Sequence, residues 1–188
     1  MLSAEENNLI YDQFNQWLAD FLLRTFPPSD GGVLQRVLDV GCGTAMYAAA
    51  FLKSGWDYYG VDISYTAIEE ARDRAPAGTY RLHDFSSSPL PEWEGRFDCV
   101  FIRTVLIHVV DDELWHASLR HTAKQLSEYG KLVVVDSIPR ERQSPATHVV
   151  GRTLDEYRAA VEALDMTLSF HPKKEACEYL VISRPAKP

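Results

Sequence analysis

The sequence has little of what a disulfide- or metal-stapled protein needs. Its 188 residues include three cysteines, Cys42, Cys99 and Cys177. They are odd in number, widely spaced and form no C-x-x-C pair, which argues against a disulfide or zinc framework and for reduced thiols in a cytoplasmic protein. None of the six histidines stands four residues from another, so the H-x-x-x-H pairing that lets two imidazoles share a metal from one helix face is missing, and no metal site is expected. No Gly-Lys-Ser or Gly-Lys-Thr occurs, which removes the phosphate-cradling loop of nucleotide triphosphatases. Basic residues are outnumbered, 19 Lys and Arg against 27 Asp and Glu, for a net charge of −8; a general nucleic-acid binder normally shows the reverse. No apolar run approaches the ~18 residues of a membrane span. The N-terminal Met-Leu-Ser-Ala-Glu-Glu-Asn-Asn lacks the basic flank and apolar run of a signal peptide, so a soluble protein is expected. What the chain does have is apolar content: at 46% hydrophobic it can bury one sizeable core but hardly two.

The most informative stretch is Val37-Leu38-Asp39-Val40-Gly41-Cys42-Gly43-Thr44-Ala45, read as a buried strand entering a glycine turn and then a helix. Glycines let the backbone approach a ligand without Cβ in the way, and the helix start beyond offers free N–H groups. A second apolar run ends at Asp62, and a carboxylate about 20 residues after such a turn can accept two hydrogen bonds from a ribose diol. These are the marks of a site for an adenosine-containing cofactor. A dinucleotide loop of the G-x-G-x-x-G/A type wants a small last residue; here it is Met46. That residue, and the absence of a Tyr-x-x-x-Lys pair, disfavour a nicotinamide-dependent oxidoreductase. Asp39, at the carboxyl end of the first strand, suits instead a ligand carrying positive charge, such as an ammonium or sulfonium.

Asp39-Val-Gly41-Cys-Gly43-Thr-Ala45 resembles motif I of the class I S-adenosylmethionine-dependent methyltransferases, usually D-x-G-x-G-x-G. The departure is Ala45 in place of the third glycine, a mild change because alanine is still small and a good helix former. The resemblance covers about residues 36–183 and is strongest in the first half.

Along the chain, Ser3 and Glu6 form a capping pair ahead of Ile10, Phe14, Trp17, Leu18 and Phe21, spaced for one helical face, and Pro27 and Pro28 end that helix. Strands are then expected at 36–40, 57–61, 80–83, 97–102 and 131–136, with helices at 44–54, 64–74, 112–127 and 153–164. Two final strands, 166–170 and 179–183, lie too close for a parallel crossover and should pair antiparallel. Such alternation implies an α/β fold: a Rossmann-like, mostly parallel sheet with helices on both faces. Seven strands with a reversed C-terminal strand are also what the resemblance implies. Residues 1–30 are read as an N-terminal helical lid and 31–188 as the S-adenosylmethionine-binding domain.

In open sheets of this type ligands bind beyond the carboxyl ends of the strands. The resemblance implies that the Gly41-Cys42-Gly43 turn passes under the cofactor and that Asp62 holds the ribose hydroxyls with Ile63 against the adenine. It further implies that Asp84 accepts from the adenine amino group with Phe85 packed beside it, and that Arg103 offers its backbone carbonyl to the cofactor's ammonium. His83 should point the other way and be structural. His108 is the catalytic candidate, because an imidazole can remove a proton from an acceptor amine or hydroxyl as the methyl is attacked; contact with the cofactor, or capping of the next helix, is the alternative. Methyl transfer needs alignment more than a triad, so the lack of one is uninformative. His116 and His121 read as surface residues. Arg140, Arg142, His148 and Arg152 stand against the single acid Glu141 between 137 and 152 and could meet an anionic group on the substrate, or form a solvated loop. The expected activity is methyl transfer to an oxygen or nitrogen of a small-molecule acceptor, without membrane or general nucleic-acid partners. The alternative is a non-catalytic S-adenosylmethionine-binding regulatory or scaffold protein.

Overall fold

The structure, a computed structural model, describes residues 4–27, 34–172 and 178–185. The expected N-terminal cap at Ser3, the helix stop at Pro28 and Cys177 lie outside them. Helix α1 spans Ala4–Thr25, and its Phe14, Trp17, Leu18, Phe21 and Leu22 are all buried, the i, i+3, i+4 stripe that a helix lays on a sheet. Strands β1 (Arg36–Val40), β2 (Asp57–Asp62), β3 (Thr79–Leu82) and β4 (Phe97–Arg103) follow, separated by α2 (Ala48–Lys53) and α3 (Tyr65–Arg74). Then come α4 (Asp112–Lys124), β5 (Leu126–Val135), a hairpin β6–β7 (Gln143–Ala146 and Val149–Gly151), α5 (Leu154–Glu162), β8 (Thr167–His171) and β9 (Tyr179–Ser183).

Seven strands form one sheet in the order β3-β2-β1-β4-β5-β9-β8. The first five pair parallel, and β9 runs antiparallel to both β5 and β8, so the expected architecture with its reversed last strand is present. Side-chain alternation divides the interior in two. Val37, Cys99, Phe101 and Val133 face a core shared with α1, α2 and α3, while Leu38, Val100, Ile102 and Leu132 face one shared with α4 and α5. Strand order reverses at β1, whose neighbours are β2 and β4; that switch point is where such sheets open a ligand crevice.

Three local expectations change. Helix α2 starts at Ala48 rather than 44, because Gly43 and Ala45 both have positive φ, 53° and 58°, which an α-helix cannot accommodate. Ala45 is therefore a left-handed turn residue and its helix propensity plays no part; such a conformation costs a non-glycine residue about 1–2 kcal/mol. The strand expected from 131 begins at Leu126, which pairs with Phe97 across a bulge, and takes over the last residues assigned to the preceding helix. The β6–β7 hairpin, in a segment read as loop, packs on the turn that follows β4.

Candidate active site

The turn after β1 is closed by its own hydrogen bonds. The amides of Gly41 and Cys42 both donate to the Val61 carbonyl, at 2.8 and 3.0 Å, and the amide of Ala45 donates to the Cys42 carbonyl at 2.9 Å. The Gly43 amide donates to Oδ2 of Asp62 at 2.9 Å. The amides of Gly41, Cys42, Gly43 and Ala45 are thus engaged within the protein. A Cβ on Gly41 would lie 2.3 Å from Cγ2 of Val105, whereas one on Gly43 would meet nothing within 4 Å. The first glycine is required by packing, and the second leaves space open.

Across the strand tips lies a cavity of about 550 Å³, within the ordinary range for small-molecule sites. Asp62, Ile63, Asp84 and Phe85 line one side, with Val105 and His108 on the other. Asp62 also accepts from the Ser64 amide at 2.8 Å through Oδ1. Each of its oxygens therefore holds one backbone donor and keeps a further lone pair. Ile63, 74% exposed, stands at the cavity rim. Partial burial pushes Asp84 up, but hydrogen bonds from the Ser86 hydroxyl and amide outweigh it and hold the carboxyl below its ordinary value. Phe85 is buried, and its carbonyl bonds Nδ1 of His121 at 2.8 Å, so His121 supports the β3 tip instead of sitting idle on the surface. His83 also lines the cavity, held by the Ser88 carbonyl at 2.8 Å, contrary to the extended-chain expectation.

Asp39 is placed differently from its neighbours. It is 2% exposed and accepts a 2.6 Å hydrogen bond from the Tyr58 hydroxyl, with its side chain under the turn and outside the cavity lining. Burial pushes its carboxyl up to about 7 against the lowering effect of Tyr58. Burial likewise pushes the Cys42 thiol up, which makes it a packing residue with little thiolate character. At the next strand but one, Asp136 follows β5 and its burial also pushes it up to about 7, opposed by hydrogen bonds from the Ser137 and Ile107 amides. Arg103 ends β4 between them. Its guanidinium lies over the rings of Phe14 and Tyr47, 4.2 and 4.9 Å from their centroids.

His108 belongs to a short 3-10 turn, Leu106–His108. Its Nδ1 is 3.1 Å from the carbonyl oxygen of His148 in the β6–β7 hairpin, and the two imidazoles stack with centroids 5.9 Å apart. Because a carbonyl only accepts, Nδ1 carries the proton, and Nε2 of the neutral ring is left as an acceptor. The hairpin is clamped from below. Arg142 bridges Asp112 and Glu156, each at 2.7 Å. Arg152, itself 2% exposed, reaches Asp112 at 2.8 Å, the Leu106 and Val110 carbonyls, and the Trp115 ring. Hydrogen bonds from these arginines hold Asp112 down at about 2. Two members of the basic cluster considered for substrate binding are therefore engaged by this network.

The sequence reading passed over Asp136, Tyr47 and the Arg103 side chain. Asp136 could have been found by the strand-tip rule that identified Asp62 and Asp84. The other two meet because β1 and β4 are neighbours in the sheet, which puts residues 56 apart in sequence in contact. Among the described residues no group of three or more His, Cys, Asp or Glu could hold a metal ion, and no helix is long and apolar enough to cross a membrane. The donor set suits an adenosine-bearing ligand with a charged tail: a carboxylate with spare lone pairs at β2, an apolar rim, a second carboxylate at β3 and a cation at β4.

Residues 37–130 match the methyltransferase domain family. The chain is similar to the ubiquinone biosynthesis O-methyltransferase of Bradyrhizobium sp. (strain ORS 278), with 33% identity over 118 residues, 62% of this chain and 45% of that protein; it spans less than half the length of that relative. In fold it is similar to the sugar N-methyltransferase KedS8 from Streptoalloteichus (TM-score 0.75, 15% identity, 94% of this chain and 88% of that one). It is also similar to the magnesium protoporphyrin IX methyltransferase ChlM of Synechocystis solved with bound SAM (TM-score 0.70, 18% identity, 98% and 86%).

Proposed function

The chain belongs to the class I S-adenosylmethionine-dependent methyltransferases, and from that premise we propose that it methylates an oxygen or nitrogen of a small molecule. Bound S-adenosylmethionine supplies an electrophilic methyl group on a sulfonium. In this reading Asp62 accepts the ribose hydroxyls with the lone pairs that Gly43 and Ser64 leave. Ile63 and Phe85 enclose the adenine, and Asp84 receives its amino group. Gly41, Cys42 and Gly43 carry the chain beneath the ligand, supported from below by Asp39, and the Arg103 carbonyl accepts from the ammonium. A lid at residues 1–30 would act through α1, whose Tyr11 stands 5.9 Å from Tyr47, although none of its described residues lines the cavity.

The observation that carries a catalytic reading is that His108 lines the same cavity as Asp62 and Asp84 with its Nδ1 proton tied to His148. Nε2 is thereby the basic nitrogen, the arrangement a general base needs. Alignment can supply much of the acceleration, and proton removal adds about 10²–10⁴-fold where the acceptor is protonated. Transfer of labelled methyl from S-adenosylmethionine to pools of small amines, phenols and alcohols identifies the acceptor. With it in hand, His108→Ala should lower turnover by about 10²-fold or more and leave cofactor affinity unchanged. A loss confined to cofactor affinity would remove His108 as the base.

A further inference from the structure

Arg103 is a charged side chain whose hydrogen-bonding capacity the protein leaves incomplete. Its Nη1 donates to the Tyr47 hydroxyl, but its buried Nε finds no acceptor. Among the described residues no carboxylate stands within ion-pair distance of it. The half-buried guanidinium lies against the adjoining rings of Phe14 and Tyr47, and a partly desolvated cation without a carboxylate partner is costly. Two buried carboxyls feel its field, Asp39 and Asp136. Burial pushes both up to about 7, so neither supplies a full counter-charge at neutral pH. The residue after it, Thr104, is a β-branched residue at φ +55°, a strained conformation that must be held by its surroundings.

Position says which anion would complete the site. Arg103 lies on the α1–α2 side of the sheet with Cys99 and Phe101, whereas Ile102, which lines the cavity, faces α4. The turn of residues 41–47 joins the two sides: Gly41 lines the cavity and Tyr47 holds the guanidinium. A ligand with its ribose at Asp62 that runs over the turn brings its far end to Arg103. In S-adenosylmethionine that end is an amino acid, and its carboxylate is the only anion in the molecule. We propose that the Arg103 guanidinium, oriented by Tyr47 and Phe14, binds the α-carboxylate of the cofactor. This rests on the cofactor assignment above and adds a side-chain role to the backbone contact. A planar guanidinium with unused donors matches a carboxylate better than an ammonium would.

The test compares two ligands on two proteins by calorimetric titration: S-adenosylhomocysteine, and its decarboxylated analogue, which keeps the amine. Wild type should prefer the first. Arg103→Met should bind S-adenosylhomocysteine about 10- to 100-fold more weakly, the scale of a lost charge-assisted hydrogen bond, and bind the decarboxylated analogue as wild type does. Arg103→Lys, which keeps the charge, should lose a smaller part of the same selectivity and answers the question if the methionine variant does not fold. Equal weakening of both ligands, or of neither, would overturn the carboxylate assignment and leave Arg103 a packing residue. Failure of wild type to bind either ligand would instead remove the cofactor reading on which the assignment rests.

Discussion

Replacing Asp39 by Asn should make the protein more stable at alkaline pH and less stable, by about 1–2 kcal/mol, at acidic pH. Burial raises the Asp39 carboxyl from 3.8 to about 7, a shift equivalent to roughly 4 kcal/mol at about 1.4 kcal/mol per unit. The folded state holds this proton more tightly than the unfolded state does. Its contribution is therefore fully present below about pH 4, falls as pH rises, and is lost above about 7. Asparagine can accept the same hydrogen bond from Tyr58 and does not titrate. Its amide N–H groups lack an evident partner, which costs about 1–2 kcal/mol, leaving a net gain of about 2 kcal/mol above pH 7. Asp136, raised for the same reason, keeps part of the wild-type slope in the variant, so the difference between the two proteins is the quantity to read. Urea unfolding of both from pH 4.5 to 8 measures it. Parallel stability curves, or a variant less stable than wild type at pH 8, would refute the claim that the Asp39 carboxyl is held protonated by burial.

Arg152→Met should destabilise the fold by about 3 kcal/mol, since it strips donors from the Leu106 and Val110 carbonyls and removes a buried cation from its network; denaturant titration checks this, and a change within 0.5 kcal/mol, the ordinary range for surface sites, would contradict it. Gly41→Ala should cost about 2–4 kcal/mol of stability, because the new methyl overlaps Val105 in a left-handed conformation. Gly43→Ala should cost only the backbone strain of about 1–2 kcal/mol but weaken S-adenosylhomocysteine binding, and thermal melts with and without the ligand separate the two glycines. Asp62→Ala should weaken cofactor binding by roughly 1–3 kcal/mol; unchanged affinity in a titration would take away its ribose role.

What could be read from the sequence was whatever is local. The strands of the parallel sheet announce themselves as short apolar runs, and the antiparallel end follows from the few residues between β8 and β9. Asp62 and Asp84 follow from their places at strand tips. The boundaries that differ have two causes, a distant partner in one case and a concealed local turn in the other. Residues 126–129 are compatible with helix, and only pairing of Leu126 with Phe97 makes them strand; Gly130 permits it, since a Cβ there would lie 2.5 Å from the Phe97 carbonyl. Helix α2 begins later than its composition suggests because Ala45 hides a left-handed turn behind a helix-forming residue. Arg103 was legible as a backbone position, but its setting is made by Phe14, far along the chain on α1. The meaning of Arg142 and Arg152 depends on Asp112 and Glu156, which no spacing rule would pair with them.

The Asp62 carboxylate, fixed by the amides of Gly43 and Ser64, has its rotamer chosen during folding. A ligand arriving at the β2 tip meets an acceptor that is already aimed and a turn that is already shaped. The loss of side-chain and loop entropy that accompanies many binding events has largely occurred before the encounter. Preorganisation of this kind sharpens shape discrimination, because a turn stitched to its neighbouring strand cannot yield to accommodate a bulkier ribose substituent.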